Sequence, residues 1–371
     1  MTRKKIGILT FHASHNYGSM LQAYSLQTYL EGLDSEVSIV NYRGFSQKKL
    51  YPKPYKYWDW AAINGRLLHP VLFVKNCKKW NRFEQFLNRY MHLTESHSTI
   101  DGTKDIIVSN NFDAVIVGGD QIWNVGCFDF YFGYFLPFSL PHCKKISYAP
   151  SMGDFRWIHP SNIDIFLRSA LSDFDAISVR EKSNIEALQQ IVQKEILEMP
   201  DPALLLSAEE YNRIETPGRL IKDDYLFYYN PGDEYDEDGV IAEYAKEMGL
   251  KAVNSNSRYR PIKSFINKND SGPSEFLNLV RYSNFVIGRS MHLIVFALLY
   301  HKPFIVLTSD PDTRLLDILS VFDITDRIVP PEQLNSHLSL KEIDWQDVDS
   351  RINHLRSKAS KFFKTNLLCD L

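Results

Sequence analysis

Short apolar runs recur along the chain, and each is followed by a polar loop and then by a segment with helical periodicity. The first run is Ile6–Phe11, followed by the loop His12–Gly18, a helix from near Ser19 to Gly32, and a second run, Val37–Tyr42. Continuous apolar runs of this length are typical of buried parallel strands. The order strand, loop, helix, strand defines a βαβ unit, so the chain is predicted to be an α/β protein with parallel sheets.

The same pattern recurs further along the chain. In the first half, the runs Asp113–Asp120, Lys145–Asp154 and Asp175–Glu181 each carry polar residues into a loop at the carboxyl end of a predicted strand. Because ligands of parallel α/β sheets bind at that edge, we expect functional residues in these loops. A second series follows the boundary segment Met199–Asp223; its predicted strands are Tyr225–Tyr229, Lys251–Val253, Asn284–Gly288 and Pro303–Leu307, and its predicted helices lie near Val240–Met248 and His292–Tyr300.

This layout predicts two Rossmann-like domains, one over residues 1–205 and one over residues 215–335. A helical insertion rich in basic and aromatic residues interrupts the first domain at about residues 46–98. Within residues 340–371, apolar side chains from Trp345 to Phe362 follow a 3/4 spacing. That spacing predicts a C-terminal amphipathic helix that packs back on the body of the protein.

The insertion has an unusual composition. Residues 48–90 contain ten Lys and Arg, two acidic residues and ten Phe, Tyr and Trp. Pro52 and Pro54 break its start, and Val71–Tyr90 has the pattern of a helix. An amphipathic insertion that packs on the body explains this composition. The alternative is a surface that makes peripheral contact with an anionic membrane or a lipid-linked substrate, and the sequence leaves both interpretations open.

Composition and charge exclude several classes of protein. The 371 residues carry 42 Lys and Arg against 45 Asp and Glu, a net charge of −3, so no field of one sign points to nucleic acid. A hydrophobic fraction of 44% excludes disorder as the main state. The four cysteines form no CxxC pair, which favours a reducing compartment over a disulfide framework or a zinc site. With no apolar run of about 18 residues and no signal-peptide pattern, we expect a cytoplasmic protein.

Seven short motifs, in order along residues 5–330, resemble those of the polysaccharide pyruvyl transferase family. Each is weak alone, and their shared order is what makes the resemblance specific. They are Asn16–Ala23, Val117–Asn124, Ser147–Gly153, Ile177–Glu181, Asp201–Leu206, Gly272–Leu277 and Ser290–His292.

The resemblance implies a fold and an activity. The fold is the GT-B glycosyltransferase type, with two Rossmann-like domains facing a cleft that holds the active site. The activity is transfer of the pyruvyl group of phosphoenolpyruvate to a hexose of a capsule, exopolysaccharide or lipid-linked oligosaccharide precursor, which forms a cyclic ketal and releases phosphate. The implied partners are phosphoenolpyruvate as co-substrate and a saccharide acceptor, with no further cofactor, no metal and no nucleic acid.

The resemblance also implies roles for particular residues. His292 is the expected general acid or base because imidazole exchanges protons near neutral pH, and Asp120 is a base toward the attacking hydroxyl. Arginines suit the two anionic groups of the donor because the guanidinium forms bidentate pairs. The expected donor-binding residues are Arg180, Arg289, Ser290, Asn16 and Gly18, and the expected acceptor-binding residues are Gln121, Trp123, Asn124 and Ser151.

One motif departs from the family pattern. Many members have Ser-Arg-x-His, whereas this chain has Arg289-Ser290-Met291-His292. A large subgroup has Asp-Ser-Phe-His, which aligns Ser290 and His292 and puts Arg289 at the position of that Asp. The departure puts the anion-binding role of Arg289 in question and leaves that of His292 intact.

Structural interpretations compete with each of these roles. Arg180 could form an ion pair at the surface, Asn16–Gly18 could be a tight turn, and Ser290 or His292 could cap or pack a helix. Asp120 could cap a helix while Trp123 lies in the core. His12 and His15 are either phosphate contacts or residues of a solvated loop, and Asp201 before Pro202 is read as structural.

Two other functions stay open from the sequence. A nucleotide-sugar glycosyltransferase of the same fold would need a base pocket in the C-terminal half, and Gly272–Glu275 is the expected place. A non-catalytic sugar-binding protein is the second alternative, because one fold hosts many functions.

Overall fold

The apolar runs of the sequence form the strands of parallel sheets. The computed structural model describes residues 3–54, 70–153, 163–231, 237–256, 263–335 and 339–368. The chain divides into two compact units. The first comprises Met1–Tyr51, Leu87–Leu206 and Ile352–Leu371, and the second comprises Pro52–Phe86 and Ser207–Arg351.

The first unit is built on a four-stranded parallel sheet in the order β2-β1-β3-β4. A parallel pair, β5-β6, continues beyond β4 through a single bridge between Ile146 and Ala176. Its strands are β1 (Lys4–Leu9), β2 (Ser35–Ile39), β3 (Ala114–Gly118), β4 (Lys144–Tyr148), β5 (Ile177–Val179) and β6 (Ile196–Glu198).

Helices of the first unit connect these strands. The helix after β1 begins two residues earlier than predicted, because the side chain of Asn16 accepts hydrogen bonds from the backbone N–H groups of Gly18 and Ser19 and caps it. The helices are Tyr17–Glu31, Phe45–Leu50, Ile100–Ser109, Ile163–Leu171 and Ile185–Val192, and the helix Pro70–Tyr90 ends in this unit.

The second unit is built on a six-stranded sheet in the order β12-β11-β10-β7-β8-β9, with every pair parallel. Its strands are β7 (Tyr225–Tyr229), β8 (Lys251–Asn254), β9 (Ile266–Asn267), β10 (Phe285–Gly288), β11 (Phe304–Leu307) and β12 (Ile328–Val329). Its helices are Ala208–Asn212, Asp238–Glu247, Pro273–Arg281, Met291–Leu299 and Thr313–Val321, and the helix Trp345–Phe363 begins in it.

Each unit has its own apolar core, which explains why the strands read as unbroken apolar runs. All five residues of β3 and of β7 are buried, because helices cover both faces of a parallel sheet. In the first unit the core includes Trp123, Phe135 and Phe174, and in the second it includes Tyr228 and Ile287.

A glycine ends the central strand β3 of the first sheet and the strand β10 of the second, where the neighbouring backbone comes close. A Cβ atom on Gly118 would lie 2.1 Å from the carbonyl oxygen of Tyr148, and one on Gly288 would lie 2.0 Å from that of Tyr229. Real Cβ atoms do not approach backbone oxygen so closely, so only glycine fits at either position. The carboxyl ends of both strands therefore present backbone rather than side chain.

The insertion differs from the predicted domain layout. The sequence assigns all of residues 46–98 to the first domain, whereas residues 52–86 group with the second unit. The physical reason is Arg82, whose guanidinium pairs with Asp270 at 3.3 Å and with Glu275 at 3.1 Å. The predicted helix Val71–Tyr90 is confirmed as Pro70–Tyr90.

The C-terminal amphipathic helix is present as Trp345–Phe363. Its later residues pack on the first unit, where the ring of Phe363 stacks on Tyr148 at 4.6 Å between centroids. Arg356 donates hydrogen bonds to the carbonyl oxygens of Leu204 and Leu206, at 2.8 and 2.6 Å. Among the described helices, none is both long enough and apolar enough to cross a lipid bilayer.

Candidate active site

Asp120 lies at the carboxyl end of β3, in a loop with left-handed backbone. Its φ of 51° follows the φ of 66° at Gly119. Its carboxylate accepts hydrogen bonds from the hydroxyl of Ser19 and from its own neighbour's backbone, Gln121 N, at 2.8 Å. Its carbonyl accepts from Ser151 N at 2.6 Å, which ties the loops after β3 and β4 together. Asp120 therefore sits in a fixed position at the sheet edge predicted for ligands.

Asn16 and Gly18 form the start of the helix after β1. Asn16 Oδ1 accepts from Gly18 N at 2.9 Å and from Ser19 N at 3.4 Å. The side-chain oxygen of Asn16 is thus occupied as an N-cap, a standard use of Asn at this position. The Nδ2 group of Asn16 is the part of its side chain that is left for a ligand, because the Gly18 N–H is already bonded to Oδ1.

Arg180 is buried at the end of β5, not at the surface. Its side chain is 8% exposed, Nε donates to Glu181 at 3.0 Å, and Nη1 donates to Asp201 at 2.7 Å. Burial alone would lower the pKa of Arg180, but the charges of Glu181, Asp201 and Asp120 together hold it above its usual range. Among the described residues, its Nη2 has no hydrogen-bond partner. Nη2 is therefore the group of the Arg180 guanidinium that is left to donate a hydrogen bond to a ligand.

The structural interpretation of Asp201 is confirmed. Its second carboxylate oxygen, Oδ1, accepts from Ala203 N at 2.9 Å and caps the short turn that follows Pro202. The same side chain holds Arg180 through Oδ2. Asp201 is 2% exposed, so it acts as a buried counter-ion.

The acceptor residues expected in the loops after β3 and β4 divide into two kinds. Gln121 and Asn124 are partly exposed, and Asn124 Nδ2 donates to Gln121 Oε1 at 2.9 Å. Ser151 is buried, and its hydroxyl accepts from Gly153 N at 3.2 Å. Gln121 and Asn124 therefore present amide groups to solvent, whereas Ser151 shapes the loop behind them.

Trp123 requires a correction. Its side chain is 1% exposed, its ring stacks on Phe135 at 5.0 Å, and its Nε1 donates to the carbonyl of Tyr134 at 3.0 Å. Both the ring faces and the N–H group are engaged within the core. Trp123 consequently packs the first unit, and its indole is not available to stack on a sugar.

His12 also requires a correction, because it is fully buried. Its ring nitrogens lie 3.1 Å from the carbonyl of Thr10 and 3.1 Å from Oδ1 of Asn41. Burial lowers the pKa of His12 to about 4, so the ring is neutral at physiological pH. Because the ring is enclosed and both of its nitrogens are engaged, His12 is not available to a phosphate. His15 is partly exposed, and its ring lies 5.6 Å from that of Tyr51.

Two titratable groups near Asp120 were missed from the sequence. Burial raises the pKa of the Asp129 carboxyl to about 6, and the charge of Asp120 adds to that rise. Burial and the charges of Asp129 and Asp120 also raise the pKa of Tyr51. No spacing links these three residues; the only signal is that Asp129 stands among the aromatic residues of Phe128–Phe132.

In the second unit, the turn after β10 carries the family motif. Ser290 caps the helix Met291–Leu299, accepting from Leu293 N at 3.4 Å. His292 lies in the first turn of that helix and is 8% exposed. The first turn of a helix carries partial positive charge, which favours an anion nearby. Ser290 therefore has the structural role that competed with ligand binding.

The hydrogen bonds of Arg289 are formed within the second unit. Nε donates to the carbonyl of Leu307, at the end of β11, at 2.7 Å, and Nη2 pairs with Glu237. The side chain remains 34% exposed. Arg289 thus precedes the turn of His292 as a partly exposed cation whose charge is partly balanced by Glu237.

Amide side chains line the carboxyl ends of β7 and β8. Asn256 Oδ1 accepts from Asn230 N at 2.8 Å, and Asn254 Nδ2 donates to Asn267 Oδ1 at 2.9 Å. The place expected for a nucleotide base, Gly272–Glu275, begins a helix, where the Glu275 carboxylate accepts from Gly272 N at 2.9 Å. That carboxylate also pairs with Arg82. Within the described part of the chain, no group of three His, Cys, Asp or Glu side chains could hold a metal ion.

Comparison with known families finds one match. The model of the polysaccharide pyruvyl transferase family matches residues 16–311. This span includes the candidate residues from Asn16 to His292 in both units, and it begins after His12 and His15. No curated protein matches the chain.

Solved structures resemble the chain in fold at low sequence identity. The UDP-GlcNAc 2-epimerase of Methanocaldococcus jannaschii is 11% identical over 96% of this chain and 93% of its own, with a TM-score of 0.52. That of Neisseria meningitidis, bound to UDP-GlcNAc, is 12% identical over 98% and 94%, with a TM-score of 0.52. The N-terminal domain of Candida albicans trehalose-6-phosphate phosphatase is 11% identical over 99% and 97%, with a TM-score of 0.53. The chain therefore has a GT-B-like α/β fold with parallel sheets, as predicted.

Proposed function

The chain belongs to the polysaccharide pyruvyl transferase family, and from this premise we propose that it transfers the pyruvyl group of phosphoenolpyruvate to a hexose. The acceptor is a unit of a polysaccharide, such as a capsule or exopolysaccharide, or of its lipid-linked precursor. Two hydroxyls of the hexose form a cyclic ketal, and phosphate is released. The observation that supports phosphoenolpyruvate as the donor is the buried guanidinium of Arg180. Its Nη2 group has no hydrogen-bond partner among the described residues, and its charge interacts with that of Asp120.

The donor is an anion with two charged groups. The phosphate alone carries about −1.5 to −2 charges near neutral pH, and the carboxylate adds another. Arg180 offers Nη2 from a rigid, ion-paired position, so little side-chain freedom is lost when a ligand binds it. Within the first unit, we assign Asn16 and Gly18 to the same donor as Arg180, through the amide of Asn16 and the start of the helix Tyr17–Glu31. Within the second unit, we assign Arg289 and Ser290 to donor binding, through the partly exposed cation of Arg289 and the helix start that Ser290 caps.

The transfer is balanced by proton movements alone. A C–H bond forms at the methylene carbon of phosphoenolpyruvate as the carbon–carbon double bond becomes single. The bond from C2 to the phosphate oxygen breaks, and two bonds form from C2 to the sugar oxygens as two O–H bonds break. Of the two hydroxyl protons released, one replaces the proton given to carbon and the other leaves on phosphate. No oxidation state changes overall, so we propose no cofactor beyond the donor itself.

Two residues are assigned to these proton movements. His292, in the first turn of its helix, acts as general acid and base. Asp120, held by Ser19 and Gln121 N, takes the proton of the attacking hydroxyl. Gln121 and Asn124 hydrogen-bond hydroxyls of the acceptor, and Ser151 holds their loop.

Phosphoenolpyruvate is expected to raise the unfolding temperature of the protein. A ligand bound only by the native state stabilises it by about 2.7 kcal/mol at a concentration one hundred times Kd. The same scan is run with UDP, GDP and CMP. Stabilisation by phosphoenolpyruvate alone supports the proposal, whereas stabilisation by a nucleotide alone contradicts it and favours a glycosyltransferase.

Variants locate the binding in this scan. Arg180→Lys keeps the positive charge but loses the planar guanidinium that forms two parallel hydrogen bonds, and Arg289→Lys does the same at a more exposed position. Each variant is expected to lose most of the rise in unfolding temperature that phosphoenolpyruvate causes. The rise is measured from the unfolding temperature of the same variant without ligand. Arg3→Lys is the matched control, since Arg3 forms a surface pair with Asp34 and is 70% exposed. An unchanged shift in both Arg180→Lys and Arg289→Lys would contradict the donor assignment.

We further propose that the enzyme works at the inner face of the membrane when its acceptor is lipid-linked, and meets it through residues 48–90. Val71 and Val74 are 69% and 62% exposed at the start of the helix Pro70–Tyr90. The segment 55–69 lies outside the described residues. Binding to anionic liposomes is expected to weaken when Lys75 is replaced by glutamate together with Val71→Ser and Val74→Ser. Equal binding of the wild type to neutral and anionic liposomes, or no binding to either, would contradict the proposed membrane contact.

A further inference from the structure

The second sheet has its topological switch point between β7 and β10. The chain runs from β7 outward to β8 and β9, and it then returns to place β10 on the other side of β7, followed by β11 and β12. The carboxyl ends of β7 and β10 are level, since Tyr229 pairs with Gly288 in the parallel register. In such sheets ligands bind outside the carboxyl ends of the two strands at the switch point. The second unit is therefore expected to bind a ligand at this edge.

A cation lies on the β11 side of this edge. Arg289 follows β10, and its Nε donates to the carbonyl of Leu307, at the end of β11, at 2.7 Å. The guanidinium thus extends toward β11 and away from β7. The helix that contains His292 begins just after Arg289. An anion bound by Arg289 is accordingly expected on the β10–β11 side of the switch point.

Neutral amides lie on the β8 side of the same edge. Asn256 follows β8 and is 1% exposed, and its Oδ1 accepts from Asn230 N, which follows β7, at 2.8 Å. The backbone N–H of Asn256 donates to Asn254 Oδ1 at 3.4 Å, and Asn254 Nδ2 donates to Asn267 Oδ1 at 2.9 Å. These bonds connect β8 and β9 to the segments that follow β7 and β8, so the Asn256 side chain has a fixed orientation.

The Nδ2 group of Asn256 is buried and has no hydrogen-bond partner among the described residues. Buried polar groups of native proteins are nearly always hydrogen-bonded, so an unpaired amide indicates a partner from outside the chain. The Nδ2 group only donates, which means that this partner must supply an acceptor oxygen. Because the amide is uncharged, a hydroxyl or carbonyl oxygen suits it better than a phosphate, for which arginine is the stronger ligand.

The width of the sheet separates the cation from the amide. Leu307 ends β11 and Asn254 ends β8, with β10 and β7 between them. At a strand spacing of about 4.8 Å, the two strand ends are about 14 Å apart. Phosphoenolpyruvate has a three-carbon skeleton and is too short to reach from Arg289 to Asn256. A ligand group bound by Asn256 therefore belongs to a different molecule from the anion bound by Arg289.

We propose that Asn256 belongs to a subsite for the saccharide acceptor, in which its Nδ2 group donates a hydrogen bond to a hydroxyl or carbonyl oxygen of the sugar. Along the edge, the guanidinium of Arg289 lies toward β11, His292 follows β10, and the amide of Asn256 follows β8. This is the order of donor, proton-transfer group and acceptor that the reaction needs. The inference rests on the proposed function and leaves the roles of Arg289 and His292 unchanged.

The test begins with the unmodified enzyme. Phosphate release from phosphoenolpyruvate is followed with methyl hexosides of galactose, glucose and mannose as acceptors, and the ketal is identified by NMR. The KM values for the acceptor and for phosphoenolpyruvate are then measured separately, each at a saturating concentration of the other substrate. Asn256→Ala is expected to raise the acceptor KM by about 3–10-fold, as loss of one hydrogen bond between neutral groups does, and to leave the KM for phosphoenolpyruvate unchanged.

The matched control is Asn284→Ala, at the opposite edge of the same sheet. Asn284 precedes β10, and its Oδ1 accepts from Tyr225 N at 3.1 Å. Both variants lose one hydrogen bond from a side chain to a backbone N–H of the second unit, but only Asn256 lies at the ligand edge. Asn284→Ala should change neither KM. Asn256→Ser, whose side chain is too short to replace Nδ2, is the second variant if Asn256→Ala does not fold. A rise in unfolding temperature with phosphoenolpyruvate shows that a variant is folded and binds the donor.

The outcomes are distinguishable. Pyruvyl transfer by the wild type with an unchanged acceptor KM in Asn256→Ala overturns the subsite and leaves the function standing; Nδ2 would then bind only an ordered water. A rise in both KM values, or an equal rise in Asn284→Ala, means that Asn256 has only a structural role, which also overturns the proposal. Absence of transfer by the wild type with every hexoside overturns the proposed function and the subsite together.

Discussion

Replacing Arg180 with alanine is expected to lower the free energy of unfolding of the first unit by about 3–5 kcal/mol. Its two carboxylate partners, Glu181 and Asp201, are each 1% exposed. Without the guanidinium these carboxylates stay buried with no cation to balance them, and an uncompensated buried charge is among the most destabilising changes known in proteins. The loss should be far larger than for a surface ion pair.

The measurement is hydrogen–deuterium exchange of the peptide that spans β5 and β6, combined with urea unfolding. Exchange localises the effect to the first unit, since the two units need not unfold together. Arg3→Ala is the control, because its pair with Asp34 is exposed and such pairs contribute only about 0–1 kcal/mol. If Arg180→Ala is no less stable than Arg3→Ala, the guanidinium is not needed to balance Glu181 and Asp201.

Replacing His292 with glutamine is expected to lower kcat for pyruvyl transfer by about 10²–10⁴-fold, which is the usual contribution of a general acid or base. Glutamine keeps a hydrogen-bonding side chain in the first turn of the helix but cannot exchange a proton near neutral pH. Binding of phosphoenolpyruvate, measured by thermal shift, should persist because the anion-binding arginines are intact. The effect is therefore expected in kcat.

The control for this variant is His354→Gln. His354 is exposed on the helix Trp345–Phe363, so its loss should change neither kcat nor the unfolding temperature. A kcat within twofold of the wild type would remove His292 from the proposed chemistry.

The sheets could be predicted from the sequence because their strands are apolar on both faces. Runs such as Ala114–Gly118 and Tyr225–Tyr229 are unbroken by polar residues, which distinguishes them from helices and loops. Helix ends were less accurate, since they depend on caps: the helix after β1 begins at Tyr17 because Asn16 caps it. Asp120 and Arg180 could also be predicted as candidate site residues, because each follows a parallel strand and ligands bind at that edge of the sheet.

The environment of each side chain could not be predicted in the same way. Trp123 and Asn124 follow the same strand and carry the same motif, yet the indole turns into the core and the amide faces solvent. The pairing of Arg180 with Asp201 joins residues 21 positions apart, across β6. The charge of Asp120 acts on both Tyr51 and Asp129, and one sequence contains no signal for that relation.

The division of the chain between the two units has a consequence for its biosynthesis. The first unit needs residues 352–371, whose Phe363 stacks on Tyr148 and whose Leu367 carbonyl accepts a hydrogen bond from Lys4 at 2.8 Å. The second unit needs only residues 52–86 and 207–351. The half of the protein that is translated first is therefore the last to be completed on the ribosome. Until then Tyr148 lacks its aromatic cover, so the nascent N-terminal half is the part that most needs protection by chaperones.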